Sequence, residues 1–248
     1  MADPSKEVRE YWDRLGGAFG EQAAIDPRDR RGLKNRYIAY CRDLALLPML
    51  EAGDRLLDIG CGTGTFLSRI RAMRSLDVAC GVDVSHSMLK QAVALDASLY
   101  GSLVRTDGVH LPFCDAAFSV VTLAGVLLYL RDDDSLTCAL REMHRVLEPN
   151  GRLLAVEQVR ATDRHDLVNM KLQRAPSTLM AALSRSGFSA EWRQIRRGHF
   201  PLVYLIRYGL MPARLMAKIA ALERQLWGAA ALPRHDYADA LIIARRLS

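Results

Sequence analysis

Three aspartates arranged around a run of alternating glycines set the chemistry to be explained. The stretch LLDIGCGTGTFL carries Asp58, then Gly60, Gly62 and Gly64 at every second position. Alternate glycines let a backbone turn sharply and approach a ligand closely. A turn that cradles a dinucleotide pyrophosphate wants G-x-G-x-x-G, and here Thr65 stands at the third glycine position. Asp58 is anionic and does not suit a pyrophosphate; it suits a ligand with a cationic amino group. Asp83, in GVDVS, ends the next apolar run and is placed to take both hydroxyls of a ribose. Asp107, in TDGVHLPF, follows the third run and could accept from an adenine amino group. Together the three acids describe a nucleoside that carries a positive amino acid and no phosphate.

The elements that must position these residues are legible in the hydrophobic pattern. KEVREYWDRLGGAF reads as a helix ending near Gly16-Gly17, and a second helix runs from about Arg31 to Leu47, with Pro48 near its end. From Arg55 the pattern becomes short apolar runs alternating with helices. RLLDIG, VACGVDV, SLVRTD, FSVVTLAGVL and RLLAVEQV read as strands, the last entered through an EPNG turn. TFLSRIRAM, SMLKQAVALDA (capped by Ser85 or Ser87) and DDDSLTCALREMHRVL read as helices. In the last of these Leu136, Leu140, Met143 and Leu147 form one stripe, and the leading aspartates suit its positive end. Strands alternating with helices predict a parallel sheet covered on both faces.

After Val159 the rhythm breaks. PSTLMAALSRSGF is a helix with Gly187 past its end, AEWRQIRR a strand, and Leu215, Ile219, Leu222 and Leu226 the apolar stripe of a helical insertion opened by Pro212. YADALIIARR returns to strand character and is expected to close the sheet as an edge hairpin. One domain over 1–248 is expected: an N-terminal helical cap (1–48), a cofactor-binding core (49–160), substrate-side helices, strand and insertion (161–235), and an edge strand (236–248).

LLDIGCGTG, GVDVS, TDGVHLPF, FSVVTLAGVLLYL and ALREMHRVLEPNGRLLAVE, in that order and at those intervals, resemble the successive motifs of class I S-adenosylmethionine-dependent methyltransferases, most closely the small-molecule, type 11-like group. The resemblance covers about residues 50–159. It implies an α/β, Rossmann-like, seven-stranded and mostly parallel sheet, with helices on both faces, an antiparallel C-terminal edge strand, and a helical cap from the N-terminus and the C-terminal insertion. It implies S-adenosylmethionine as cofactor and no metal. Gly60, Cys61, Gly62 and Gly64 would line the methionine part. Asp83 and Val84 would lie at the ribose, Met88 on the adenine, Asp107 and Gly108 at the adenine edge, Ala124 by the cofactor, and Asp58 at the turn and amino group. Many members carry paired histidines after the fourth strand; here the run is Leu127-Leu128-Tyr129-Leu130, so that acid–base role is absent. Tyr129 and Glu157, which ends the fifth strand, are the candidate catalytic residues. Tyr11, Arg36 and Tyr37 lie in the helices that often cover the cofactor in such enzymes.

Blander readings stand beside these. The aspartates could cap helices, Cys61 is a small turn residue rather than a nucleophile, Tyr129 is as readily a packing residue, and Glu157 as readily a structural one. His144 sits in a helix, and His110, His165, His199 and His235 are scattered without metal spacing. The five cysteines lack any CxxC pair, which fits reduced thiols and a cytoplasmic protein. Met1 to Glu10 is polar, unlike a secretory leader, and FPLVYLIRYGLMPARLM is interrupted by Arg207, Pro212 and Arg214, which argues against a transmembrane helix. Residues 160–248 hold 15 Lys and Arg against 6 Asp and Glu. That excess could meet an anionic substrate, a peripheral membrane contact or RNA.

The expected reaction is methyl transfer to a small hydrophobic or anionic metabolite (a natural product, lipid, quinone or sugar intermediate), at oxygen, by a monomer or homodimer. Alternatives are an RNA methyltransferase using the basic last third and a non-catalytic cofactor-binding partner. TLAGVLLY after the fourth strand lacks the proline of base-amine methyltransferases, and no Pro-Cys or Thr-Cys nucleophile occurs, which disfavours those nucleic-acid classes.

Overall fold

The computed structural model describes residues 4–19, 25, 26, 29, 31–198, 201–227 and 236–247. Two helices, α1 (Pro4–Phe19) and α2 (Leu33–Leu46), precede the sheet. The alternating region runs β1 (Arg55–Ile59), α3 (Thr65–Met73), β2 (Val78–Asp83), α4 (His86–Leu95), β3 (Leu103–Arg105), β4 (Phe118–Ala124), α5 (Asp133–Val146) and β5 (Leu147–Val159). The remainder comprises β6 (Arg164–Asp166), β7 (Lys171–Gln173), α6 (Pro176–Arg185), β8 (Phe188–Arg197), α7 (Pro201–Arg207), α8 (Met216–Trp227) and β9 (Ala238–Arg246).

Seven strands pair in the order β3-β2-β1-β4-β5-β9-β8. β1 to β5 are mutually parallel, and β9 runs antiparallel between β5 and β8. The antiparallel edge is therefore a β8–β9 pair, joined through α7 and α8 rather than by a hairpin turn, in which β8, not the C-terminal strand, is outermost. Strand order reverses between β1 and β4, and open α/β sheets bind ligands outside the carboxyl ends of the strands at such a point. Successive residues of β1 serve opposite faces, as strand pleating requires. Leu57 and Ile59 pack with α5 and α6 (Leu136, Leu140, Met143, Leu179, Leu183), while Leu56 packs with α2, α3 and α4 (Leu46, Phe66, Ile70, Leu89). All four residues of the predicted α5 stripe are buried.

Several expectations are corrected. α1 does not stop at Gly16-Gly17 but continues to Phe19. Gly16 serves close approach: a Cβ there would lie 2.4 Å from Ser87 Oγ of α4. EPNG is not a turn before β5 but a bulge within it. The register shifts between Phe118↔Leu147 and Val120↔Arg152, and Asn150 takes φ +64°. The insertion's apolar stripe is displaced: α8 buries Met216, Ile219, Ala220 and Glu223, whereas Leu222 and Leu226 are exposed. The β6–β7 hairpin lies where no element was expected.

Candidate active site

At the carboxyl ends of β1, β2 and β4, a cavity of about 370 Å³ opens beneath α1 and α2. Its floor is the glycine turn. Gly60, Gly62 and Gly64 have φ of +68°, +55° and +69°, a region side chains rarely enter. A Cβ on Gly60 would lie 2.4 Å from Val126 Cγ2. The Gly60 and Cys61 amides donate to the Val82 carbonyl, and the Gly62 amide donates to Asp83 Oδ2 at 2.8 Å. Gly60, Cys61 and Gly62 line the cavity; Gly64 is not among its lining residues. Gly64 instead leads into α3, where a Cβ would lie 2.5 Å from Leu99 Cδ1 and 3.1 Å from Ala92 Cβ. Its role is helix packing.

Asp58 ends β1 almost wholly buried, accepting at 2.8 Å from the Thr122 hydroxyl on the paired strand β4. Burial pushes its carboxyl up to about 7, against the opposing effects of Thr122 and the Arg42 guanidinium. Asp83 is also buried, which raises it as well, and its other oxygen accepts from the Ser85 amide at 2.9 Å. Ser85 then caps α4, its hydroxyl accepting from the Met88 amide. Met88 is buried and lines the cavity beside Val84. Asp107 and Gly108 line it too, but Asp107 also caps its own turn, accepting from the Val109 and His110 amides. Ala124 lines the β4 side.

α1 closes the cavity over α4. Asp13 accepts from the Ser85 hydroxyl at 2.8 Å and from the Ser87 amide, the Ser87 hydroxyl donates to the Asp13 carbonyl, and Gln91 donates to the Gly16 carbonyl. Val8 and Trp12 of α1 reach the cavity. The Trp12 ring stands edge-on to Tyr129, centroids 5.4 Å apart. Arg131, just beyond Tyr129, pairs with Glu7 of α1 at 2.7 Å.

Tyr129 lines the cavity, and burial raises its hydroxyl well above the usual phenol range, so it stays protonated. Glu157 does not join it. Its carboxylate accepts from the Val126 and Leu127 amides at 2.8 and 2.9 Å, and burial pushes it up to about 7. It is absent from the cavity lining and acts on the backbone turn that carries Tyr129. The other oxygen, Glu157 Oε2, has no hydrogen-bond partner.

Of the three cap residues expected near the cofactor, only Arg36 lines the cavity. Tyr37 is fully buried and donates to Glu223 at 2.6 Å, and Tyr11 packs edge-on to Trp12. The sequence reading missed Trp12, Asn35 and Arg42. Gly32, Asn35, Arg36, Ala39, Arg42 and Leu46 form one face of α2 along the cavity. Their helical spacing was readable, but so polar a stripe has the pattern of a solvated face. Arg174 leaves no sequence signal. His144 packs against Phe188; His110 and His165 are exposed; His199 and His235 lie outside the described residues. Among the described residues no group of three His, Cys, Asp or Glu could hold a metal ion, and no helix is long and apolar enough to cross a membrane.

The turn, the three acids and the switch-point cavity define a class. Residues 57–155 match the Methyltransf_11 family, described as a methyltransferase domain, a match that supports the class I S-adenosylmethionine-dependent methyltransferases. Over 115 residues, 46% of each chain, it is 35% identical to the demethylmenaquinone methyltransferase of Staphylococcus epidermidis, and to the same extent to that of Staphylococcus aureus. The chain thus spans about half the length of the curated relatives it matches. Solved structures share the fold over nearly the whole chain. The [4+2]-cyclase SpnF is 20% identical with a TM-score of 0.67, covering 99% of this chain and 98% of its own. Geranyl diphosphate C-methyltransferase from Streptomyces coelicolor A3(2) is 13% identical with a TM-score of 0.67, covering 100% and 99%. A cyclase among these neighbours means that the fold alone does not assign the reaction.

The residues present fit the cofactor. The glycine turn leaves no room for a Cβ at Gly60, and a buried carboxylate, Asp58, stands where a cationic amino group would neutralise its burial.

Proposed function

We propose that the protein transfers a methyl group from S-adenosylmethionine to a small organic acceptor, at an oxygen, in a biosynthetic pathway. The observation that carries this reading is one cavity lined both by Asp58, Gly60, Asp83 and Met88 and by Trp12, Arg36, Arg42 and Tyr129. When bound, the cofactor supplies a methyl group on a positively charged sulfur. Asp83 takes the ribose hydroxyls, Met88 packs on the adenine, and Asp107 with the Gly108 backbone meets its edge. Asp58 holds the amino group. Val8 and Trp12 exclude water from the acceptor side, and positioning then contributes most of the rate.

An oxygen acceptor must lose its proton. Tyr129 is protonated and suits a donor to the acceptor, not a base. The reading therefore favours an acceptor that ionises readily by itself, an acidic phenol, quinol, enol or carboxylate. Arg36 and Arg42 supply complementary charge. The demethylmenaquinone methyltransferase relatives are compatible with a quinone-type acceptor.

The test is calorimetric titration of S-adenosylhomocysteine into the wild type and Asp83→Ala, followed by labelled methyl donor with a panel of acidic phenols, quinols and carboxylates. Binding is expected in the wild type, with a loss of about ten- to a hundredfold in the variant, the worth of one or two charged hydrogen bonds. Binding without transfer to any of the panel would sink the acceptor class. No binding would sink the cofactor reading.

A further inference from the structure

α7 and α8 pack on α2 through Val203, Ile206, Met216, Ile219 and Ala220, which close a small core with Tyr37 and Cys41. Their outward side is unlike the rest of the surface. Of the fifteen exposed large apolar side chains among the described residues, six lie between Tyr204 and Leu226: Tyr204, Leu205, Tyr208, Leu210, Leu222 and Leu226. Tyr208 is 64% exposed and Leu210 72%. Scattered exposed leucines need no explanation; a concentration in one short segment does.

Charge completes the pattern. Residues 201–227 carry Arg207, Arg214, Lys218 and Arg224 and a single acid, Glu223. That acid is 1% exposed and turned inward, accepting from the Tyr37 hydroxyl and the Arg197 amide. The outward side of the segment therefore presents apolar and cationic groups with no carboxylate between them. A second copy docked symmetrically on this face would set like charges against each other. A bilayer containing anionic lipid supplies the opposite charge and an apolar phase for leucine and tyrosine.

The surface adjoins the cavity. Arg31, one of the cavity-lining residues, donates to the Tyr208 carbonyl at 2.8 Å. A Cβ on the following Gly209, at φ +73°, would lie 2.7 Å from Arg31 Nη1. The apolar loop between α7 and α8 is thereby fixed to the cavity mouth.

We propose that the α7–α8 segment is a peripheral docking surface for an anionic lipid bilayer, set beside the cavity mouth at Arg31. The surface goes beyond the methyl-transfer reading, and its test needs neither donor nor acceptor.

The full chain is sedimented with vesicles of phosphatidylcholine alone and with about one third phosphatidylglycerol. Binding to the anionic vesicles is expected to be about tenfold tighter or more, and to weaken as salt is added. The combined Leu210→Ser, Leu222→Ser and Leu226→Ser variant is expected to lose at least about tenfold on anionic vesicles. The Arg214→Glu, Lys218→Glu variant should lose the preference for them. Circular dichroism melts check that these exposed substitutions leave the fold intact. Failure to bind vesicles, equal binding to both compositions, or unchanged binding by the serine variant would overturn the proposal. A dimer seen by sedimentation equilibrium and lost in the serine variant, without vesicle binding, would overturn it in favour of a second copy.

Discussion

Glu157 and Arg174 hold the same turn from opposite chemical sides. The Glu157 carboxylate accepts from the amides of Val126 and Leu127. The Arg174 guanidinium donates to the carbonyls of Leu127, Leu130 and Asp132 at 3.1, 2.7 and 3.3 Å. Both side chains are about 1% exposed. The backbone around Tyr129 thus has its donors and acceptors met by buried charges, and the ring is presented to the cavity without relying on its own packing alone.

Arg174→Ala removes a buried guanidinium with its three bonds to the turn carbonyls and takes a cation away from Glu157. Such losses cost about 2–4 kcal/mol. Urea unfolding should read that destabilisation. Turnover should fall more than S-adenosylhomocysteine affinity, because the contacts proposed for the cofactor lie at the ends of β1, β2 and β3 and on α4, away from the Glu157 and Arg174 bonds. An affinity loss as large as the turnover loss would refute the division.

How much of this was legible depends on whether sequence spacing or tertiary contact fixes the residue. Asp58, Gly60, Gly62 and Asp83 stand at strand ends, so the period change from strand to helix located them. Thr65–Met73 matched its predicted helix residue for residue, because a glycine turn bounds its start. Glu157 was misplaced because a strand-end acid can face a ligand or a neighbouring backbone, and only the fold decides. Gly16 was read as a stop because α4 lies 70 residues away in sequence, and close approach leaves no local signal. The α8 stripe was displaced because α2 chooses which face is covered, and Glu223 belongs to that face through Tyr37.

Gly60 and Gly64 should respond differently to alanine. Both sit at positive φ, which costs a side chain about 1–2 kcal/mol. Gly60→Ala also drives a methyl against Val126 at the cavity floor, and should abolish measurable S-adenosylhomocysteine binding. Gly64→Ala strikes Leu99 and Ala92, and should lower the unfolding midpoint while the protein that remains folded still binds. Parallel melts and titrations separate them; equal binding losses would contradict the assignment of Gly64 to packing.

The pH dependence has a defined sign. Burial raises Asp58 and Glu157 each to about 7, above an unfolded carboxyl value of about 4. A group raised on folding contributes stability that is complete below its unfolded pKa and is lost as pH rises through its folded pKa. The melting temperature without ligand should therefore fall between about pH 4 and about pH 7. The Asp58 share should shrink when S-adenosylhomocysteine is saturating, since a bound ammonium favours the carboxylate. Affinity should rise with pH through the same range. A flat affinity profile would remove Asp58 from the amino-group role.

Asp13→Ala should loosen α1 over the cavity without unfolding the protein. Its carboxylate is about one-third exposed, so the stability cost is about 1 kcal/mol or less. Dissociation of S-adenosylhomocysteine, followed by stopped-flow intrinsic fluorescence in a variant that keeps Trp12 as its one tryptophan, should quicken several-fold. Unchanged dissociation would mean that α1 does not retain the cofactor.

The small core of Tyr37 and Cys41 with Val203, Ile206, Met216 and Ile219 is separate from the two cores of the sheet. Local opening free energies differ between such units within one molecule. The unit that α7 and α8 form on α2 can therefore open and re-form while β1, β4 and β5 keep their pairing. Amide exchange would divide the chain along that seam, fast in α7 and α8 and slow in the central strands. The donor cradle at the ends of β1 and β2 would then stand through an opening of α7 and α8, none of whose described residues line the cavity.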